Sequence, residues 1–164
     1  MTEYRIRPLL PSDGEPVLEI FNYYVEHGFA AYPESKVPPV FFDRMMAACT
    51  GYPRLAITDD SGNVAGFGML HAHNPMPSFS RTAEITYFLR PGRTGRELGS
   101  RLLEALISEG QKRGIATVLA SISSRNEGSI RFHARHGFTE CGRFRDVGKK
   151  QGTLFDTVWM QKMI

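Results

Sequence analysis

Glu84-Ile-Thr-Tyr-Phe-Leu-Arg-Pro91, continued by Gly-Arg-Thr-Gly-Arg-Glu-Leu-Gly-Ser-Arg-Leu-Leu103, reads as a strand, a glycine-bearing turn and the start of a helix. The strand runs from Glu84 to Leu89 and the helix begins near Leu98. Thr94, Gly95, Arg96, Glu97, Leu98 and Gly99 therefore feed directly into a helix N-terminus. Free backbone N–H groups and the positive end of the helix dipole meet there, which suits a phosphate-bearing ligand. The turn lacks Gly-x-Gly-x-x-Gly spacing and has no Lys followed by Ser or Thr, so the usual dinucleotide and nucleoside-triphosphate loops do not apply.

Beyond the turn, Leu98, Leu102, Ala105 and Leu106 share one helical face, and Gly114 supplies a left-handed stop. Ile115 to Ile122 is almost continuously apolar, as expected of a central strand covered on both faces. Asn126 caps a short helix that Gly137 ends. Phe138 to Val147 and Leu154 to Ile164 read as two last strands joined by a loop from Gly148 to Gly152.

On the other side, Tyr4 to Leu9 alternates as an opening strand. Ser12 and Glu15 form a capping box for a helix that buries Val17, Ile20, Phe21 and Tyr24. Residues 28–39 form a loop whose Phe29 and Tyr32 either line a cleft or anchor in the core, and a second helix covers about Val40 to Cys49. Arg54 to Thr58 and Val64 to Leu70 flank Asp59-Asp60-Ser61-Gly62-Asn63, which is hairpin chemistry. His71 to Arg81 reads as a surface loop. The order β-α-α-β-β-β-α-β-α-β-β describes one α/β (α+β) domain over residues 1–164 with a mixed sheet.

A chain of 164 residues is long enough for one substantial core. No run of eighteen apolar residues and no signal-peptide layout is present, so a cytoplasmic protein is expected. Cys49 and Cys141 have no metal-ligand spacing and read as free thiols. His71 and His73 share a side if their strand continues, but lack a third metal ligand nearby. A net charge of +3 does not demand nucleic acid and fits a small anionic ligand.

The segments from Glu84 to Pro91 and Thr94 to Leu103, with Asn126-Glu-Gly-Ser129-Ile-Arg-Phe-His133-Ala-Arg-His-Gly-Phe138, together resemble the GNAT superfamily of acyl-CoA-dependent N-acetyltransferases. Val147-Gly-Lys-Lys-Gln-Gly-Thr-Leu-Phe-Asp156 is similar to the carboxy-terminal hairpin of the phosphinothricin, methionine sulfone and methionine sulfoximine branch. The resemblance implies a mixed central sheet with a splayed pair of strands, acetyl-CoA as acyl donor, no metal and a homodimer. It implies that Phe88 and Leu89 flank the pantetheine and that Thr94 to Ser100 hold the pyrophosphate, with Asn126 and Ser129 beyond. Glu84 takes the family's acidic position, as base or amine-positioning group, its alternative being a solvated charge at a strand start. His133 either protonates the departing sulfur or lines the cofactor arm, and His136 reads as a surface helix residue. Oxyanion stabilisation would come from a backbone N–H near Leu89. Phe29, Tyr32, His73, Asn74 and Arg81 are the candidates for the acceptor side.

Two departures stand out. Thr94 and Glu97 occupy positions where the family has Gln or Arg and a glycine. A glutamate charge about 6 Å from a phosphate, at an effective dielectric of about 40, costs on the order of 1 to 1.5 kcal/mol. Arg93, Arg96 and Arg101 are near enough in sequence to offset it. The arginine that grips a carboxylate in the phosphinothricin branch is replaced by the region of His73, Asn74 and Pro75, with Arg81 displaced toward the strand. The expected activity is acetylation of a small primary amine, either amino-acid-like or of a different small molecule. A degenerate acyl-CoA-binding module and a peptide N-acetyltransferase are the alternatives.

Overall fold

The computed structural model describes residues 2–94 and 97–164. Seven strands form one sheet in the order β1-β2-β3-β4-β5-β7-β6: β1 Arg5–Pro8, β2 Arg54–Thr58, β3 Val64–Ala72, β4 Thr82–Leu89, β5 Thr117–Ser123, β6 Thr139–Lys150 and β7 Thr153–Met163. Among the described residues only β4 and β5 run parallel, and every other neighbouring pair is antiparallel. Helices α1 (Gly14–Glu26) and α2 (Val40–Ala48) cover one face, while α3 (Leu98–Lys112) and α4 (Glu127–Arg135) cover the other.

Strand alternation produces this two-sided core. On β2 and β3, Ala56, Phe67 and Met69 pack with Val17, Phe21 and Phe42 from α1 and α2, whereas Leu55 and Leu70 pack with Leu102, Leu103 and Leu106 of α3. Small residues set how close α3 comes. A Cβ on Gly68 would lie 2.7 Å from the Tyr87 Cβ and 2.8 Å from Leu106 Cδ1, closer than packed atoms tolerate.

The element order matches the sequence expectation throughout, and boundaries shift by a few residues. Two local readings are corrected. Ser12 does not cap α1, because residues 11–13 form a 3-10 turn and Asp13 stands at the cap position. The Asp13 carboxylate instead accepts both Arg7 guanidinium nitrogens (2.7 and 2.8 Å) and the Leu10 N–H (2.7 Å). The last hairpin turns on Gln151 and Gly152 alone, so Gly148, Lys149 and Lys150 belong to β6. Gly148 permits this because the Phe155 ring lies where its Cβ would be, 2.1 Å away.

Cys49 is buried and Cys141 exposed, and both are free. Burial pushes the Cys49 thiol up to about 11, which keeps it un-ionised at neutral pH. Among the described residues, no helix is long and apolar enough to cross a membrane.

The Asp13 carboxylate is held below the usual range chiefly by its hydrogen bonds from Arg7. A carboxylate with a depressed folded pKa contributes stability above its unfolded value of about 4 and loses it as pH falls through the lower folded value. Asp13→Asn should therefore cost about 1 to 3 kcal/mol at neutral pH and little at pH 2. Urea unfolding of both proteins across that range checks this.

Candidate active site

Pairing between β4 and β5 stops at Glu84 and Leu119 after three residue pairs. β3 continues to hold β4 as far as Leu89, and β7 holds β5 as far as Ser123. Two parallel neighbours are thus pulled apart by their outer partners, and a cavity of about 960 Å³ occupies the gap. It reaches both faces of the sheet: Phe21, Tyr24, Tyr32 and His71 line one side, and Ser129, Phe132, His133 and His136 the other.

The inner edge of β4 is a row of unused backbone groups. Arg90 donates its N–H to Ala65 on β3 at 2.7 Å, and successive residues of a strand alternate between its two edges. Tyr87 and Leu89 therefore turn their amides toward the gap, past the last residue that β5 meets. The Leu89 carbonyl accepts the Tyr24 hydroxyl at 2.7 Å. An extended ligand with its own amides can join this edge as an added strand.

At one end of the gap lies the N-terminus of α3, where Thr94, Glu97, Gly99 and Ser100 line the cavity. The first-turn N–H groups of an α-helix have no intrahelical partner, and the Glu97 side chain at the cap position of α3 makes no capping hydrogen bond among the described residues. Leu98 is buried below, against Tyr4, Ile57 and Ala65. Gly95 and Arg96 lie outside the described residues.

On the α3/α4 face, the buried His133 ring is fixed at both nitrogens. Nδ1 lies 2.8 Å from the Ser129 carbonyl oxygen, which can only accept, so Nδ1 carries the proton. Nε2 then accepts the Tyr87 hydroxyl at 2.8 Å. Burial pushes the His133 pKa down and the Tyr87 pKa strongly up. A neutral imidazole thus holds a protonated phenol beside the gap. Asn126 caps α4, its Oδ1 accepting the Ser129 N–H at 3.3 Å.

On the α1/α2 face, Glu84 stands where the two strands part, opposite His71 on β3. His71 Nδ1 is 3.5 Å from one carboxylate oxygen and His73 Nδ1 is 3.4 Å from the other. The two histidines do share a side, as the sequence suggests. No group of three His, Cys, Asp or Glu placed to hold a metal ion occurs among the described residues.

The family model for acetyltransferases (GNAT) matches residues 17–138. The chain belongs to this family. L-methionine sulfoximine/L-methionine sulfone acetyltransferase of Pseudomonas paraeruginosa is 33% identical over 95% of this chain and 92% of its own. Phosphinothricin N-acetyltransferase of Streptomyces coelicolor is 26% identical over 98% and 96%. Among solved structures, Salmonella typhimurium yncA with its cofactor acetyl-CoA superposes at a TM-score of 0.90, with 30% identity over 98% of this chain and 94% of that one. The present chain is accordingly a GNAT acetyltransferase with acetyl-CoA as donor. Its residues fit that donor, because the open β4 edge matches the two amides of a pantetheine arm and the uncapped α3 terminus matches a pyrophosphate.

Within this GNAT frame the candidates from sequence separate cleanly. Phe88, Leu89, Thr94, Glu97, Gly99, Ser100, Asn126, Ser129, Tyr32 and His133 line the cavity. Phe29, His73, Asn74, Arg81, Glu84 and Leu98 do not. Phe29 packs edge-on against Phe155, Asn74 accepts the Met76 N–H, and the Arg81 carbonyl accepts Ala116 and Thr117 N–H groups. His136 is no surface residue, since Nε2 meets the Ser100 hydroxyl at 2.8 Å and the ring lines the cavity. Tyr87, His71 and Lys150 were not legible as site residues. Strand parity places Tyr87 on the opposite face from Glu84, but nothing in the sequence reveals that His133 sits above it.

Lys150 is buried to 1% exposure, and its ammonium donates to the carbonyls of Ala31 (2.7 Å), Gly28 (2.8 Å) and Tyr24 (3.4 Å). Desolvation pulls its pKa down. Beside it, Tyr32 stacks on Phe155 at 5.5 Å. The last hairpin thereby fixes the loop after α1, whose Ala30 to Pro33 line the cavity.

Of the three arginines expected to offset Glu97, Arg96 lies outside the described residues. Arg93 donates to the Tyr4 hydroxyl and Arg101 to the Tyr4 carbonyl, and Glu97 forms no ion pair among the described residues. Glu97 also has a φ of 59°, the left-handed conformation that glycine adopts without strain. Relief of the charge in Glu97→Gly should tighten acetyl-CoA binding about tenfold. Calorimetric titration of both proteins tests this, and an unchanged Kd refutes it.

Proposed function

We propose that this chain transfers the acetyl group of acetyl-CoA to the primary amine of a small amino-acid-like acid, in the manner of its methionine sulfoximine, methionine sulfone and phosphinothricin relatives. The observation that carries the reading is the gap between β4 and β5, with a carboxylate on one face and a held phenol on the other. When bound, acetyl-CoA supplies an activated thioester. The chain supplies the remaining requirements.

The amides of Tyr87 and Leu89 and the N-terminus of α3 orient the donor. Tyr87, kept protonated by burial, gives its one O–H to His133 Nε2 until the donor is bound, and turns it to the developing thiolate as the C–S bond lengthens. Glu84 and its imidazoles form the proton-accepting centre for the amine on the α1/α2 face. The loop held by Lys150 shapes the acceptor side. With His73, Asn74 and Arg81 outside the cavity, the acceptor's carboxylate is met by other groups than in a phosphinothricin-type arginine grip.

Thiol release with acetyl-CoA should exceed background for at least one of L-methionine sulfoximine, L-methionine sulfone and phosphinothricin. Glu84→Gln should lower kcat at least 100-fold and Tyr87→Phe about tenfold, with acetyl-CoA affinity within twofold for both. Turnover of peptide N-termini but of none of the three acids would overturn the substrate class. Bound acetyl-CoA without any turnover would overturn the function.

The reading further has residues 1–164 acting as one domain, in the cytoplasm, without nucleic acid, membrane or metal, as a homodimer. Phe155, Val158 and Met160 are packed inside, which leaves Phe144, Val147 and Leu154 exposed on the last hairpin as the apolar contribution to an interface. Sedimentation equilibrium should give twice the 18.4 kDa chain mass, and Phe144→Asp should lower it to the monomer.

A further inference from the structure

We infer that His71, and not the Glu84 carboxylate, is the group that takes the proton from the acceptor amine. The inference rests on the acetyltransferase reading above and names the atom that performs its proton transfer. His71 lines the cavity and Glu84 does not. Each Glu84 oxygen already faces an imidazole nitrogen, Oε2 the His71 Nδ1 and Oε1 the His73 Nδ1.

The tautomer of His71 follows from its neighbours. Nδ1 lies 3.2 Å from the Ala72 carbonyl oxygen and 3.5 Å from the Glu84 carboxylate. A carbonyl only accepts, and so does an ionised carboxylate, so the ring proton resides on Nδ1. Nε2 is left with its lone pair and has no hydrogen-bond partner among the described residues. The ring is partly exposed, with 30% of its side-chain surface accessible. An imidazole oriented through Nδ1 by a carboxylate and free at Nε2 is a general base whose acquired positive charge the carboxylate stabilises.

His73 holds the second carboxylate oxygen and is itself flanked by Phe79 and Trp159, with ring centroids at 6.2 and 6.1 Å. Glu84 is thereby kept from turning away from His71. Both are positioning residues.

The step balances without a further reactant. The neutral amine nitrogen forms its bond to the acetyl carbon as His71 Nε2 takes one amine proton. The C–S bond breaks and its electron pair leaves with sulfur as thiolate. The Tyr87 hydroxyl hydrogen-bonds the departing sulfur, and solvent then returns a proton to it and receives one from the imidazolium, giving amide and free thiol.

The test is thiol release by the full chain with acetyl-CoA and whichever of L-methionine sulfoximine, L-methionine sulfone or phosphinothricin the parent turns over best. His71→Ala and His71→Gln should each lose about 100-fold in kcat, with unchanged acetyl-CoA Kd and melting temperature. Added imidazole should restore His71→Ala, and substituted imidazoles should do so in order of their basicity. Glu84→Gln should gain nothing from imidazole. Activity of both His71 variants within threefold of the parent overturns the assignment, as does a loss that no imidazole restores. An inactive parent would instead overturn the function on which the assignment rests.

Discussion

One loss of pairing governs the molecule. After Glu84 and Leu119, β4 and β5 follow different partners, and a sheet that is closed elsewhere opens along its middle. Buried backbone amides without partners are costly, so the opening persists only because both outer ladders and the helices on each face hold the strands where they are. In return the chain presents a row of amides to a slot passing through the sheet. Chemistry can then be divided between two faces, with donor and acceptor arriving from opposite sides.

That division explains why the polar side chains come in two sets that never touch. Tyr87 and His133 belong to the α3/α4 side, whereas Glu84, His71 and His73 belong to the α1/α2 side. Adjacent strand residues point to opposite faces, so Glu84 and Tyr87, three apart, necessarily fall on different sides. A donor-side phenol and an acceptor-side carboxylate can be carried by one short strand for that reason.

Much of this was legible in the residues. Apolar spacing, Gly114 and Gly137 as helix stops and Asn126 as a cap located the elements, because each signal is local. The uncapped α3 terminus was legible too. What escaped was set by long-range packing. Residues 28–33 and 150 are far apart in sequence, so a buried Lys150 was indistinguishable from a hairpin-loop lysine. His71 was read as loop because its strand was ended at Leu70. The site was thus visible as a place and a few residues, and its hydrogen-bonded pairs became visible only in three dimensions.

The Lys150 contact has a consequence for assembly in time. The wall of the acceptor pocket is laid down early in the chain, but the ammonium that fixes its carbonyls lies 119 residues beyond Ala31. A chain emerging from a ribosome can pair β1 through β5 and still have a slack pocket rim. Only docking of the last hairpin inserts the cation, seats Phe155 against Tyr32 and gives the rim its shape. With the acceptor placed on this face as proposed, its selectivity is among the last properties the nascent protein acquires.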